Sequence, residues 1–357
     1  MKILVTGHHG YIGSVMVPML QAAGHEVHGL DSYLFAGCTF GTDDPEMVGS
    51  KTDVRDARVR DFVGFHAVVH LAALSNDPLS NLNPDSTYDI NHRASVHLAR
   101  LAKEAGVPRF LFSSSCSLYG VAGEGMVTET ATFNPITPYG QSKVYVERDV
   151  SKLADDTFCP TFLRNATAFG VSPRLRCDLV VNSLVGYAYT TGDVLISSDG
   201  TPWRPLVHIE DISRAFLAAL EAPRELVHDK AFNVGRPDDN VQVRDIAELV
   251  RDAVPGSALS FAEGAGPDLR SYRVDFSKLT ETFPDLNLRW NVRDGIDELA
   301  AAYAEHSLTY DDFTSSRFVR LRRITELLSA GLLDDKLRLK AGGRLRAPDA
   351  EIVQEVR

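Results

Sequence analysis

Two periodicities alternate along the first half of the chain. Lys2–Thr6 is a short unbroken apolar run of strand type. Tyr11–Ala23 then places apolar residues at helical spacing and stops at Gly24, a residue suited to a helix C-terminus. Glu26–Leu30 reads as a second strand, closed by Asp31. The alternation continues with Ala67–Ala73 as a strand, Asp85–Ala105 as a long helix and Arg109–Ser113 as a strand. A further helix follows Pro138, and Thr161–Arg164 is again strand-like. Strands that are apolar throughout, alternating with helices, imply parallel strands buried on both faces and joined by right-handed crossovers. The predicted class is α/β, with a Rossmann-type doubly wound parallel sheet and a smaller C-terminal substrate-binding lobe.

Beyond about residue 170 the alternation fades into polar, Gly- and Pro-containing loops such as SSDGTPWRP and FAEGAGPDLRS. The expected division is a dinucleotide-binding domain over 1–170, a mainly substrate-binding lobe over 171–305 and a basic helical extension over 306–357. Segments around 206–235, Leu206–Leu220 and Ala231–Val234 in particular, are expected to return to the first domain. Phe318–Leu333 is helix-like, and the residues after it read as a loose tail.

A chain of 357 residues can bury a core without disulfide or metal staples. Its four cysteines, Cys38, Cys116, Cys159 and Cys177, are scattered and form no CxxC, so neither a disulfide framework nor a thiolate metal site is expected. No apolar run approaches the length of a membrane span, and MKILVTG lacks a signal-peptide layout, so a reduced cytoplasm is the default compartment. Thirty-seven Lys and Arg against forty-eight Asp and Glu give a net charge of −11. That argues against nucleic acid or an anionic membrane as partner. The charge is uneven: residues 314–357 hold ten Lys/Arg and six Asp/Glu, net +4, which leaves −15 on residues 1–313. An anionic small molecule is still permitted, held by backbone N–H groups and a few local cations.

TGHHGYIGS follows the first strand directly and opens the first helix. Gly7 allows a tight turn, Gly10 lets a pyrophosphate approach the backbone, and Gly13 lets helix and strand pack closely. The helix N-terminus offers free N–H groups to phosphate. Asp31 lies 18 residues past Gly13, where an acid accepts hydrogen bonds from ribose hydroxyls and repels a 2′-phosphate, favouring NAD over NADP. His8 and His9 read as solvent-facing loop residues. Further on, PYGQSK sets Tyr139 and Lys143 four apart, on one helix face. A free tyrosine is too weak a base at neutral pH, and a neighbouring ammonium and a positive nicotinamide ring both favour its phenolate.

With these motifs in this order, over roughly residues 1–305, the chain resembles the extended short-chain dehydrogenase/reductases of the NAD-dependent sugar-nucleotide epimerase/dehydratase family, of the UDP-glucose 4-epimerase-like type. The resemblance implies that Gly7, Gly10, Tyr11, Ile12 and Gly13 cradle NAD and that Asp31 takes its ribose. Asp53 and Val54 in KTDVRD are then the pair at adenine, and Leu71, Ala72 and Ala73 in HLAALS run along the cofactor. Asn91 supports the cofactor and the strand beneath it, and Ser113 borders the cofactor. Ser115, counted back from the Tyr-Gly of FSSSCSLYG, is the catalytic serine that acts with Tyr139 and Lys143; the lysine also holds the nicotinamide ribose. Ser75, Ser115, Cys116, Ser117 and Thr167 are placed at the sugar, with Asn76 and Asp77 in the same pocket. Asn182, Arg204, Asp268 and Arg270 are placed at the nucleotide diphosphate, with Arg273 nearby. The family commonly forms homodimers through two helices per subunit, here Asp85–Ala105 and Tyr139–Ala154.

Departures from the pattern matter for the reaction. Dehydratases of this kind carry Asp-Glu directly after the catalytic Ser/Thr, and this chain has Cys116 and Ser117. Thr167 replaces the usual substrate-contacting asparagine, and Ala265 stands where an arginine usually precedes Asp268. The resemblance thus implies epimerisation of a nucleotide-diphosphate sugar, at C4. A 4-ketoreductase, a dehydratase or a decarboxylase on the same scaffold is the alternative, and a non-enzymatic NAD-binding regulator a remote one.

Overall fold

The computed structural model describes residues 1–41, 47–121, 125–266 and 271–340. Its centre is a parallel sheet of seven strands in the order Gly49–Lys51, Glu26–Asp31, Lys2–Thr6, Ala67–His70, Arg109–Ser115, Cys159–Asn165 and Lys230–Val234. Strand order reverses between Lys2–Thr6 and Ala67–His70, the switch point at which doubly wound sheets bind their ligands.

Apolar strands have two buried faces because side chains alternate across a sheet. Ile3, Val5, Ala67, Val69 and Leu111 join one core, with Met16 and Leu20 of the first helix and Phe216 of the helix Ile209–Glu221. Leu4, Val68, Phe110 and Phe112 join the opposite core with Leu98, Leu101 and Val146. That second core also takes Ile324, Leu327, Leu333 and Leu337. The basic extension is therefore packed onto the large sheet, with a helix over Arg320–Ser329. Residues 341–357 of the expected tail lie outside the described residues.

A third core, around Phe169, Val181, Val185, Ile246 and Leu299, fills the second lobe. There Thr167–Phe169, Trp203–His208 and Asn240–Gln242 form a small mixed sheet, and Asp193–Ser198 pairs in parallel with Ala258–Gly266. The returning segments split. Lys230–Val234 is the seventh strand of the large sheet and Ile209–Glu221 packs against that sheet, whereas Leu206–His208 belongs to the small sheet.

The expected helix Asp85–Ala105 is divided into Pro84–Thr87, a wider π-helical turn over Tyr88–Arg93, and Ala94–Glu104. Such turns insert one residue into a helix and turn a side chain inward. Here the buried Asn91 is on that turn. Among the described residues no helix is long and apolar enough to cross a membrane, and no cluster of three metal-ligating side chains occurs.

Candidate active site

A cleft of about 530 Å³ opens along the carboxyl ends of the parallel strands. Its dinucleotide half is lined by Gly7, Gly10, Tyr11, Ile12 and Gly13, by Asp31, by Asp53 and Val54, and by Leu71, Ala72 and Ala73. The cradle requires its glycines. A Cβ on Gly7 would lie 2.7 Å from the Ala72 nitrogen, and one on Gly13 2.4 Å from the Gly7 carbonyl oxygen. Asp31 accepts hydrogen bonds from the Tyr33 N–H at 2.7 Å and the His9 N–H at 3.1 Å. Burial raises its pKa, and these bonds and the nearby His8 oppose that shift. A glycine floor beside an acid at the end of the second strand fits a ribosyl pyrophosphate.

Asn91 lies behind this wall. Its Oδ1 accepts from the Leu74 N–H at 2.8 Å, and its Nδ2 donates to the Leu74 carbonyl at 3.0 Å and to Ser142 Oγ at 3.3 Å. It thus ties the 71–75 loop to the helix Pro138–Ser151 that carries Tyr139 and Lys143. The histidines of the glycine loop differ from expectation: His8 is wholly buried and His9 nearly so. His8 fills a notch left by Gly29 and Gly49, with Nε2 at 3.0 Å from the Tyr33 hydroxyl, and His9 pairs with Arg174.

The catalytic candidates converge at the middle of the cleft. Pro138–Ser151 is capped by Thr137, whose Oγ1 accepts from the Gly140 N–H at 3.2 Å, and Pro138 occupies the first turn. One turn apart, Tyr139 and Lys143 share a face, and Lys143 Nζ lies 5.5 Å from the Tyr139 ring centroid. Lys143 is 3% exposed and donates to the Ser113 carbonyl at 2.6 Å. Burial pulls its pKa down to about 7, against the pull of the Glu147 carboxylate. Burial pushes the Tyr139 phenol up to about 12, while its hydrogen bond with Ser115 and the Arg176 guanidinium act in the opposite direction. Ser115 also accepts from the Ser117 N–H at 3.1 Å and donates to Ser117 Oγ at 3.1 Å. The three side chains form a proton-handling group directly beside the dinucleotide half.

Ser75, Asn76, Asp77, Ser117, Thr167 and Arg204 line the remainder of the cleft. Cys116 and Asn182 do not line it. Cys116 begins a tight 3₁₀ turn that directs its thiol to the Arg164 carbonyl at 3.2 Å. Asn182 is fully buried: its Oδ1 accepts from the Gly170 N–H at 3.1 Å and its Nδ2 donates to the Tyr11 hydroxyl at 3.2 Å and the Arg176 carbonyl at 3.0 Å. It braces the wall instead of facing a ligand. Asp268 and Arg270 lie outside the described residues. Arg273 stacks on Trp203 at 5.2 Å and is not in the lining.

Among the lining residues that carry no family signature in the sequence are Arg176, Asp178, Tyr272 and Arg320. Arg176 is held by Asp178 at 2.9 Å and donates to Ser75 Oγ at 3.0 Å. An arginine two positions from an aspartate was the only signal available. Behind the triad, Arg164 and Glu147 form a buried ion pair at 2.6 Å, and Ser114 Oγ donates to Glu147 at 2.5 Å.

Fold and site together define an extended short-chain dehydrogenase/reductase. A family model described as "NAD dependent epimerase/dehydratase family" matches residues 3–235, and the chain belongs to that family, with NAD as its cofactor. Among curated relatives, it is 28% identical over 334 residues to the UDP-glucose 4-epimerase of Lactobacillus helveticus, covering 87% of this chain and all of that one. It is 30% identical over 272 residues to the UDP-glucose 4-epimerase of Corynebacterium glutamicum, covering 71% and 80%. The solved structure of Thermus thermophilus UDP-glucose 4-epimerase in complex with NAD superposes with a TM-score of 0.72 at 25% identity, over 85% of this chain and 99% of that one.

Proposed function

We propose that the protein epimerises a nucleotide-diphosphate hexose at C4 through a transient 4-keto sugar. The observation that carries this reading is the convergence of Ser115, Tyr139 and Lys143 on the cleft, with Cys116 and Ser117 where the family's dehydratases hold a carboxylate pair. Relatives named UDP-glucose 4-epimerase support it and make UDP-hexoses the first substrates to try.

When bound, NAD supplies the hydride acceptor and donor and a positive ring that favours phenolate. Tyr139 takes the C4 hydroxyl proton and later returns it. Ser115 holds the reacting oxygen, and the Lys143 ammonium lowers the cost of the phenolate. Arg204, reaching in from the second lobe, suits two-point contact with the diphosphate. The keto sugar turns over in the pocket between the two proton transfers, so no external reductant is consumed. Asp77 lines the cleft and accepts a hydrogen bond from Thr137 Oγ1 at 2.7 Å. Neither Asp77 nor the Arg176-bound Asp178 stands directly after the catalytic serine, where the family's dehydratases hold their carboxylate pair.

The test is incubation of the purified protein with UDP-, GDP-, dTDP-, CDP- and ADP-hexoses, with product analysis. Interconversion of a C4 pair is expected, and Tyr139→Phe should lose roughly 10²–10⁴-fold in rate. No conversion of any sugar, full activity in Tyr139→Phe, or a 4-keto-6-deoxy product overturns the reading.

A further inference from the structure

The basic C-terminal extension has no part in the family pattern, yet it reaches the cleft at two points, through Arg320 and Leu337. Arg320 is 3% exposed. Its Nη2 donates to the Arg174 carbonyl at 2.8 Å, and its guanidinium lies 4.2 Å from the Phe35 ring centroid. Its Nη1 is buried and has no hydrogen-bond partner among the described residues. A buried donor left unpaired costs free energy, most of all on a charged group. The neighbouring guanidiniums are occupied, Arg176 by Asp178 and Ser75, and Arg174 by His9 and Thr39.

The strip that carries Arg174 is packed on the glycine loop. Ser172 Oγ donates to the Tyr11 carbonyl at 2.8 Å, and the Tyr11 hydroxyl donates to the Gly170 carbonyl at 2.7 Å. Phe35 lies four residues past the ribose acid Asp31, also in the lining. Arg320 is thus fixed between the pyrophosphate loop and the adenosine side.

Further along, the extension is fastened at the adenine end. Arg55, paired with Asp53 at 2.6 Å, donates to the Lys336 carbonyl at 2.7 Å. Asn83 Nδ2 donates to the Asp335 carbonyl at 2.9 Å, and Arg338 pairs with Asp56 at 2.7 Å. Leu337 is buried there.

We propose that the C-terminal extension is a clamp on the dinucleotide: Arg320 donates to its pyrophosphate, and Leu337 closes over its adenosine end. The inference rests on the dinucleotide reading of the cleft and is independent of which sugar reaction occurs. A retained cofactor suits a reaction that lends a hydride and takes it back.

The test uses the full chain freed of cofactor, with ADP-ribose, adenosine and UDP as probes. Arg320→Gln should bind ADP-ribose on the order of 10- to 100-fold more weakly, the size of a lost charge-assisted hydrogen bond. Its affinities for adenosine and UDP should stay within about twofold of the unaltered protein's, because adenosine has no diphosphate and the UDP diphosphate is the one assigned to Arg204. Unchanged ADP-ribose affinity overturns the proposal. So does an equal loss for adenosine, which means packing alone, or a loss confined to UDP, which means the arginine serves the substrate. A second measurement needs no variant. In the unaltered protein, ADP-ribose should slow amide hydrogen exchange over residues 316–324 more than adenosine does, and equal protection overturns the clamp. Neither measurement depends on catalytic turnover.

Discussion

Replacing Glu147 by Gln tests the pair beneath the active site. Arg164 and Glu147 are 4% and 6% exposed. Arg164 Nε donates to the two carboxylate oxygens at 3.0 and 3.2 Å, Nη2 donates at 2.6 Å, and Ser114 Oγ donates at 2.5 Å. The amide of a glutamine keeps one acceptor and turns an NH₂ group toward these donors, while Arg164 stays charged and buried. Arg164 keeps its bonds to the Tyr119 hydroxyl and the Glu129 carbonyl, so it remains in place without a counter-charge. Removing one partner of a buried pair costs about 3–5 kcal/mol. With roughly 2.1 cal/mol/K of unfolding entropy per residue, a chain of 357 residues should lose about 4–7 °C in Tm. The substitution also acts on Lys143, because the Glu147 carboxylate opposes the burial that brings the lysine to about 7. Without it the ammonium gives up its proton at lower pH, so the alkaline fall of kcat should move down in pH with little change in KM. Calorimetric melting of the cofactor-free protein and a pH–rate series measure both effects. A Tm drop under about 1 °C, or a Glu147→Met/Arg164→Met double variant less stable than Glu147→Gln, refutes the reasoning, since matched apolar replacement of a buried pair is close to neutral.

Gly13→Ala drives a Cβ to 2.4–2.7 Å from backbone atoms of Gly7 and His8, so the protein should purify with its bound dinucleotide depleted, as read from the absorbance of the denatured extract. Burial holds the Asp239 carboxyl at about 6, above its unfolded value of about 3.9, so the folded state favours the proton. The contribution of this one group to stability should be greatest below about pH 4 and fall by up to about 3 kcal/mol as pH rises to 6. Asp239→Asn should flatten that slope and raise Tm at pH 7.5; an unchanged denaturation profile counts against it. Two copies are expected to pair through Ala94–Glu104 and Pro138–Ser151, beside the partly exposed rings of Tyr88 and Tyr145, which are 6.1 Å apart. Light scattering should give about twice the 39.1 kDa chain mass, and Tyr145→Asp should lower it.

The centre of the large sheet was legible because its inner strands are apolar runs with two buried faces, a pattern that depends on little else in the chain; the edge strand Gly49–Lys51, polar and exposed throughout, carries no such pattern and was not. The second lobe was not. Thr167–Phe169 and Asn240–Gln242 are three residues each, too short to show a period, and their partners come from distant segments. The site followed the same division. Gly7, Asp31 and Ser115 sit at or next to strand ends, and Tyr139 and Lys143 sit one turn apart at the start of a helix, so sequence spacing located them in the cleft. Asn182 and Cys116 also sit at family positions, but local hydrogen bonds turn them into the protein. The π-helical turn that carries Asn91 leaves no mark on a helical apolar pattern, because a single inserted residue shifts that pattern by less than a turn. Arg320 was visible only as one of several basic residues on a helix, since its destination is set by the apolar face of Ile324 and Leu327.

That apolar face also sets a schedule for the chain on the ribosome. The core under one face of the dinucleotide sheet contains Leu4, Phe62 and Phe162 together with Leu333 and Leu337. At about 5–20 residues per second, Phe162 is made roughly 9–35 s before Leu337. Through that interval the nucleotide-binding half has its glycine loop and catalytic helix but lacks the cover for part of its hydrophobic surface. Its closure therefore waits on Leu333 and Leu337, and until they emerge the nascent chain presents an apolar surface that chaperones can bind.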